Sequence, residues 1–245
     1  MKHLLNTLYV ITQETYLALE GETVLLRRDG QNAHQVPLHT LDGIIAFGQV
    51  SASPALLAAC AERNVTVSFM SLNGRFQARV QGPVSGNVLL RRAQYRLADD
   101  LRAAAAVAQA IVMAKLANGR AVLLRASRDH PNSPGVNELR AVATFLGRCL
   151  EDLADPLPLE RLRGLEGEVG RAYFGVFGHL IVAQKDSFFF RKRSRRPPLD
   201  NVNALLSFVY SLLAHDVCSA LEGVGLDPQV GFLHRDRPGR PSLAL

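Results

Sequence analysis

Over the first 80 residues, apolar and polar positions alternate or gather into short apolar blocks, and this rhythm predicts strands. Residues 4–12 form an apolar run with β-branched members. Residues 16–19 and 23–26 flank Glu20-Gly21-Glu22 in the manner of a hairpin. Residues 36–38 contain Pro37, which has no N–H for a ladder, so this segment is an edge strand or a strand start. Residues 44–47 read as a short, wholly apolar strand. Ser53-Pro54 then supplies an N-cap and a proline at the first helical position, opening a helix over 55–63. Residues 65–70 and 76–80 surround Asn73-Gly74, a strong hairpin signal.

Gln81-Gly82-Pro83 and Ser85-Gly86 form a breaker-rich linker, after which the period changes. Residues 88–118 are rich in Ala, Leu and Arg without Gly or Pro, which predicts one long helix stopped at Asn118-Gly119. Further helices are expected over 121–127, 135–153, 159–181 and 202–221. Loops are expected over 129–134 and, strongly basic, over 187–200. The expected fold is α+β: a β-rich N-terminal domain with one helix (residues 1–83), then a larger all-α C-terminal domain (residues 84–245).

Composition changes this picture little. The chain has 245 residues, 48% hydrophobic and 20% charged, which excludes a disordered chain. No apolar run approaches the roughly 18 residues of a membrane span, and the longest, 103–117, is interrupted by Gln109 and Lys115. The N-terminus lacks a signal-peptide core. Cys60, Cys149 and Cys218 lie far apart and read as buried small hydrophobes in a reducing cytoplasm. Charge is more informative. The net value is +6, and residues 1–90 balance at zero, so the whole excess lies beyond them, mostly as Arg. That pattern suggests a polyanionic partner, nucleic acid first, with a solvated surface as the alternative.

Three features carry candidate chemistry. Glu166 lies on a helical stripe with Leu162, Val169 and Tyr173, beside Gly167 and Gly170. A carboxylate on an apolar face needs a partner. That partner is either Arg163, three residues earlier, or a metal ion. Arg191-Lys192-Arg193-Ser194-Arg195-Arg196 places five bases in six residues before Pro197-Pro198, with Phe188-Phe189-Phe190 as an anchor. It is either a phosphate-tracking loop or a solvated turn. His234 lies among Arg235, Arg237 and Arg240, whose charge disfavours protonation and leaves an imidazole able to bind metal or act as a base. No Ser-His-Asp, phosphate-loop, dinucleotide or zinc spacing is present.

Several segments in order resemble one family. They are Gly86-Asn87-Val88-Leu89-Leu90-Arg91-Arg92-Ala93-Gln94-Tyr95, then Arg163-Gly164-Leu165-Glu166-Gly167, then Arg193-Ser194-Arg195-Arg196-Pro197-Pro198 with Asn203-Ala204-Leu205-Leu206-Ser207-Phe208. Gly225-Leu226-Asp227-Pro228, Gly231-Phe232-Leu233-His234 and Gly239-Arg240-Pro241-Ser242-Leu243-Ala244-Leu245 follow. Together they resemble the CRISPR-associated integrases, the metal-dependent DNase subunits of the spacer-acquisition complex. Residues 1–26 are similar to the type I-C subfamily.

The resemblance implies a DNA endonuclease and integrase that inserts protospacer DNA into the CRISPR array by 3′-hydroxyl attack on a phosphodiester. It implies a homodimer working with a small ferredoxin-like partner subunit on double-stranded DNA. The expected metal is Mg²⁺ or Mn²⁺, held by Glu166 and His234, with Asn203 and Tyr173 supporting the ligands. Arg193, Arg195, Arg196, Arg237 and Arg240 are expected to hold phosphates. The family's third ligand, an Asp, follows Pro-Ser-Leu-Ala-Leu, and this sequence ends at Leu245. The expectation is a truncated chain or an unrecorded tail. The alternative is therefore a catalytically disabled DNA-binding or scaffold subunit.

Overall fold

The computed structural model describes residues 6–28, 30–80, 82 and 88–245. The expected linker, apart from Gly82, lies outside the described residues, as do the start of the 4–12 run and the boundary at 83/84. The chain divides into two compact units, Met1–Asn87 with Glu222–Gly225, and Val88–Leu221 with Leu226–Leu245. A β-rich N-terminal region is followed by a helical one, as the periodicity predicts.

The first unit contains β1 (Thr7–Val10), β2 (Tyr16–Glu20), β3 (Thr23–Arg28), β4 (Gln31–Pro37), β5 (Gly43–Phe47), β6 (Ser51–Ala52), β7 (Thr66–Met70) and β8 (Phe76–Val80). One sheet has the order β1-β5-β7-β8, parallel except for β8. The other has the order β4-β3-β2-β6. Pro37 does lie on an edge strand, and Gly21 and Gly74 adopt positive φ at the two hairpin turns. The two-residue β6 carries too little pattern to be read from sequence. Ser53 caps α1 (Pro54–Glu62), its hydroxyl accepting from the Leu56 N–H at 3.2 Å. Leu17, Val24, Leu38, Ile44, Leu56 and Val67 are fully buried and form this unit's core.

The second unit corrects the expected long helix in its middle and at its C-terminal end, where it runs on through the separate helix expected over 121–127. Residues 88–118 divide into α2 (Val88–Asp99) and α3 (Leu101–Asp129). Asp100 makes the break, because its carboxylate accepts from the Arg102 and Ala103 N–H groups at 2.8 and 3.2 Å. Such a cap stabilises the new helix by about 1 kcal/mol. Asn118-Gly119, by contrast, does not stop α3. Gly in a helix costs about 1 kcal/mol, whereas Leu116 and Leu123 on either side are buried, each contributing about 1.5–3 kcal/mol. Packing outweighs propensity there.

Three helices follow: α4 (Val136–Asp152), α5 (Leu159–Val176), ending in a tighter turn at Phe177–Leu180, and α6 (Asn201–Gly223). Leu116 and Leu123 of α3, Leu139 and Leu146 of α4 and Leu162 of α5 pack as one core. Both α3 and α6 are long and apolar enough to cross a membrane by length and composition alone, which the sequence reading did not anticipate. In α3 those apolar positions also serve the helical core. The three cysteines are buried and form no disulfide.

Candidate functional site

Glu166 sits on α5, whose inward face is set by buried Leu162, Val169 and Val176. Its own side chain is 25% exposed. A Cβ built on Gly164, Gly167 or Gly170 meets nothing within 4 Å, so the helix surface around the carboxylate is open. Packing does not explain these glycines, and Gly costs a helix interior about 1 kcal/mol. Arg163 is not the partner of Glu166. The carboxylate pairs instead with the Lys115 ammonium, which reaches across from α3. Arg163 faces the other way: its guanidinium donates to Glu160 and to the backbone carbonyl of Leu233, the residue before His234.

His234 lies in an irregular segment after α6, held by side chains rather than by a ladder. Gln94 of α2 is 4% exposed and occupies the loop's backbone groups. Its Nε2 donates to the carbonyls of Asp227 and Val230 at 2.8 and 2.9 Å, and its Oε1 accepts from the Asp227 N–H at 2.8 Å. The adjacent Tyr95 hydroxyl donates to the Asp227 carboxylate at 2.7 Å, which also accepts from the Gln229 N–H at 2.8 Å. Asp227 is thereby a turn residue. Gly231 is required by close approach, since a Cβ there would lie 2.7 Å from the Ser242 backbone. The Leu243 N–H donates to the Pro228 carbonyl at 2.9 Å and closes the segment on itself.

Burial lowers the His234 pKa, and Arg240 lowers it further, with smaller contributions from Lys115 and Arg163. Glu166 opposes them. The expected neutral imidazole therefore arises first from desolvation and only then from neighbouring cations. Glu166, Lys115 and His234, distant in sequence, share one electrostatic site. A cavity of about 350 Å³ opens beside the imidazole, lined in part by His234, Arg163, Tyr95, Asp99 and Asp236. Glu166 is not among its lining residues.

A carboxylate oxygen and a neutral imidazole are donors that Mg²⁺ or Mn²⁺ accepts. The donor chemistry fits a divalent ion. Among the described residues, however, no group of three or more His, Cys, Asp or Glu side chains is placed to hold a metal.

The expected phosphate-binding bases divide into two sets. Arg195, Arg196 and Arg237 are exposed, and Arg240 is half-buried near His234. Arg193 instead turns inward, donating to Asn203 at 2.8 Å and to the Ser194 carbonyl at 2.7 Å, with its guanidinium over the Tyr210 ring. Asn203 is fully buried and uses its full hydrogen-bonding capacity on this loop. It accepts from Arg193 and Ser194 and donates to the Lys192 carbonyl and to Asp200. Its hydrogen bonds go to the basic loop, not to Glu166 or His234. Tyr173 packs edge-on against Phe174 and Phe177. The loop's aromatic anchor is Phe190, 4.9 Å from Phe177 between ring centres, whereas Phe189 is exposed.

Sequence reasoning missed Lys115 and Gln94. The signal for Gln94 was present: with Leu90 and Leu97 it completes a stripe at helical spacing, a polar residue on an apolar face.

The family described as CRISPR associated protein Cas1 matches residues 8–245. The chain is 53% identical, over 245 residues, to "CRISPR-associated endonuclease Cas1 1" of Chlorobaculum tepidum, covering all of this chain and 71% of that protein. Among solved structures it is similar to a casposase bound to integration product, with a TM-score of 0.74 and 24% identity over 98% of this chain and 67% of that one. It is also similar to a chain of a Cas6-RT-Cas1–Cas2 complex, with a TM-score of 0.73 and 23% identity, covering 98% of this chain and 26% of that one. At these identities the solved structures show a shared fold.

Proposed function

The chain belongs to the CRISPR-associated Cas1 family of endonucleases, and from that premise we propose that it is a metal-dependent DNA endonuclease and integrase subunit, type I-C-like, that inserts protospacer DNA into a CRISPR array. The observation that supports the reading is the electrostatic coupling of Glu166 to His234, beside a helix face left open by Gly164, Gly167 and Gly170. A divalent ion bound there supplies neutralisation of charge on the phosphoryl oxygens. Glu166 offers its carboxylate from a helix whose glycines leave room for a polymer backbone. His234 keeps a nitrogen lone pair available because burial and Arg240 disfavour its protonation. Arg195, Arg196, Arg237 and Arg240 hold phosphates, while Arg193 shapes the basic loop from within.

The proposed assembly is a homodimer, dimerised through residues 1–83, acting in the cytoplasm on double-stranded DNA with a small ferredoxin-like partner. The name of the Cas6-RT-Cas1–Cas2 complex supports a partner subunit, and the casposase's integration product supports strand transfer. A second reading is a DNA-binding subunit without catalysis, in which Glu166 serves only its ion pair with Lys115.

Strand transfer with Mg²⁺ or Mn²⁺ separates the two. On the integrase reading, Glu166→Gln lowers transfer by at least a hundredfold, beyond the ~10–100-fold cost of losing a group that merely supports a ligand. Duplex binding stays within about twofold. Reversing charge at Arg195 and Arg196 weakens duplex binding and flattens its salt dependence, by about 0.9 in slope per lost contact. Absent transfer by the unaltered chain, with duplex binding intact, selects the second reading, whereas metal-independent transfer overturns both.

A further inference from the structure

The Lys115 ammonium occupies the carboxylate that the proposed reading assigns to metal, and this side chain is held there by its helix. Its neighbours Val112 and Leu116 are buried at 1% each, which fixes the rotation of α3. From that face Lys115 crosses to α5 and pairs with Glu166. Its charge also reaches His234, where it disfavours the imidazolium. The ammonium is therefore placed in the field of both candidate ligands.

We infer that Lys115 is a resident counter-cation that competes with the divalent ion for Glu166, so that metal binding displaces it. This rests on the reading of Glu166 as a metal ligand. The physical argument is one of charge. A half-buried carboxylate without a partner is unfavourable, and the ammonium satisfies it in the metal-free protein. A divalent ion and an ammonium on the same carboxylate repel strongly at contact distance. Entry of one requires retreat of the other. Lys115 has the means to retreat, since its side chain is 58% exposed on a flexible four-carbon stem. Once released, it adds a cation beside a site that must receive a polyanionic phosphate backbone. The pair thus sets the metal affinity of the free protein lower than its two ligands alone would give.

Mn²⁺ titration of the full chain without DNA, followed by calorimetry and by the free-Mn²⁺ resonance signal, tests this directly. Lys115→Met keeps the length of the side chain and removes its charge. It should tighten Mn²⁺ binding by about two- to fivefold, the scale of a partly exposed ion pair. Lys115→Arg, which keeps the charge, should stay close to the unaltered protein. Unchanged or weaker binding in Lys115→Met overturns the competition. Glu166→Gln separates this from failure of the site itself. If Glu166→Gln removes Mn²⁺ binding while Lys115→Met leaves it unchanged, the ligand assignment stands and the counter-cation role falls. If Glu166→Gln binds Mn²⁺ as the unaltered protein does, the ligand assignment falls first.

Discussion

The two halves of the candidate site are built by different physics. Glu166 rides on α5, where core packing on one face fixes the other, and a single long-range ion pair with Lys115 completes its surroundings. His234 rides on a segment with no regular ladder. Its backbone groups are taken up by Gln94 and Arg163, and Tyr95 fixes the Asp227 carboxylate at its turn. A helix-borne ligand needs little besides its helix. A loop-borne ligand needs a dedicated partner for each polar group that the loop would otherwise bury unpaired. The difference explains why the site depends on polar residues far from it in sequence.

Gln94→Leu is the most severe way to break the comparison. It keeps the volume of a buried side chain and strips hydrogen bonds from the backbone of Asp227 and Val230. Leaving a fully buried group unpaired costs about 1–3 kcal/mol. The three groups here are part-buried, so water takes up part of the loss, and chemical denaturation should register about 2–3 kcal/mol in total. Hydrogen exchange should accelerate over residues 226–235 and remain slow over α5. Equal acceleration in α5 would show that the two halves are one cooperative unit.

The same asymmetry governs what the sequence disclosed. The position of Glu166 followed from periodicity alone, because α5 is long and its apolar stripe is plain. The importance of Gln109 and Lys115 did not follow. Both entered as mere interruptions of an apolar run, yet Gln109 donates to the carbonyls of Leu153 and Asp155 and accepts from the Leu157 N–H. Local pattern reports which face a residue occupies. It does not report which distant backbone the side chain meets. For the same reason the basic loop was legible as charge, while the inward turn of Arg193 was not. That turn depends on Asn203, ten residues later and on another element. The helix break at Asp100 was legible in principle, being a capping residue within an unbroken helical pattern. The run through Gly119 was not, since packing decided it.

Alanine at two glycines sharpens the contrast with opposite signs. At Gly231 a Cβ collides with backbone, 2.7 Å from the Ser242 carbonyl carbon and oxygen, and backbone cannot rotate away. Gly231→Ala should cost about 1–3 kcal/mol, the range of overpacked sites. At Gly167 a Cβ enters open space on a helix, and Gly167→Ala should stabilise by about 0.5–1 kcal/mol. Thermal denaturation of both variants checks this. Stabilisation at both positions would mean that the loop is as yielding as the helix surface. If Gly167→Ala raises stability while lowering strand transfer, the open face serves the substrate rather than the fold.

The finest test is the protonation of His234, because it reads both halves at once. Burial and the cations Arg240, Lys115 and Arg163 lower its pKa below the ordinary 6.5, and Glu166 pulls the other way. As pH falls, the unfolded chain takes up this proton before the folded one. The stability owed to the neutral imidazole is then complete above the unfolded value and diminishes as pH falls through 6.5 toward the lower folded value. An NMR titration of the metal-free chain should place the imidazole midpoint below 6.5. Arg240→Gln and Lys115→Met should each raise it, and Glu166→Gln should lower it further. The Lys115 and Glu166 responses report whether the helix-borne half lies close enough to the loop-borne half to be felt there. A midpoint at or above 6.5 would mean that the Glu166 charge outweighs burial, leaving His234 protonated over the range in which a metal ligand must not be. An unmoved midpoint in both Lys115→Met and Glu166→Gln would separate the halves and remove the basis for placing one ion between them.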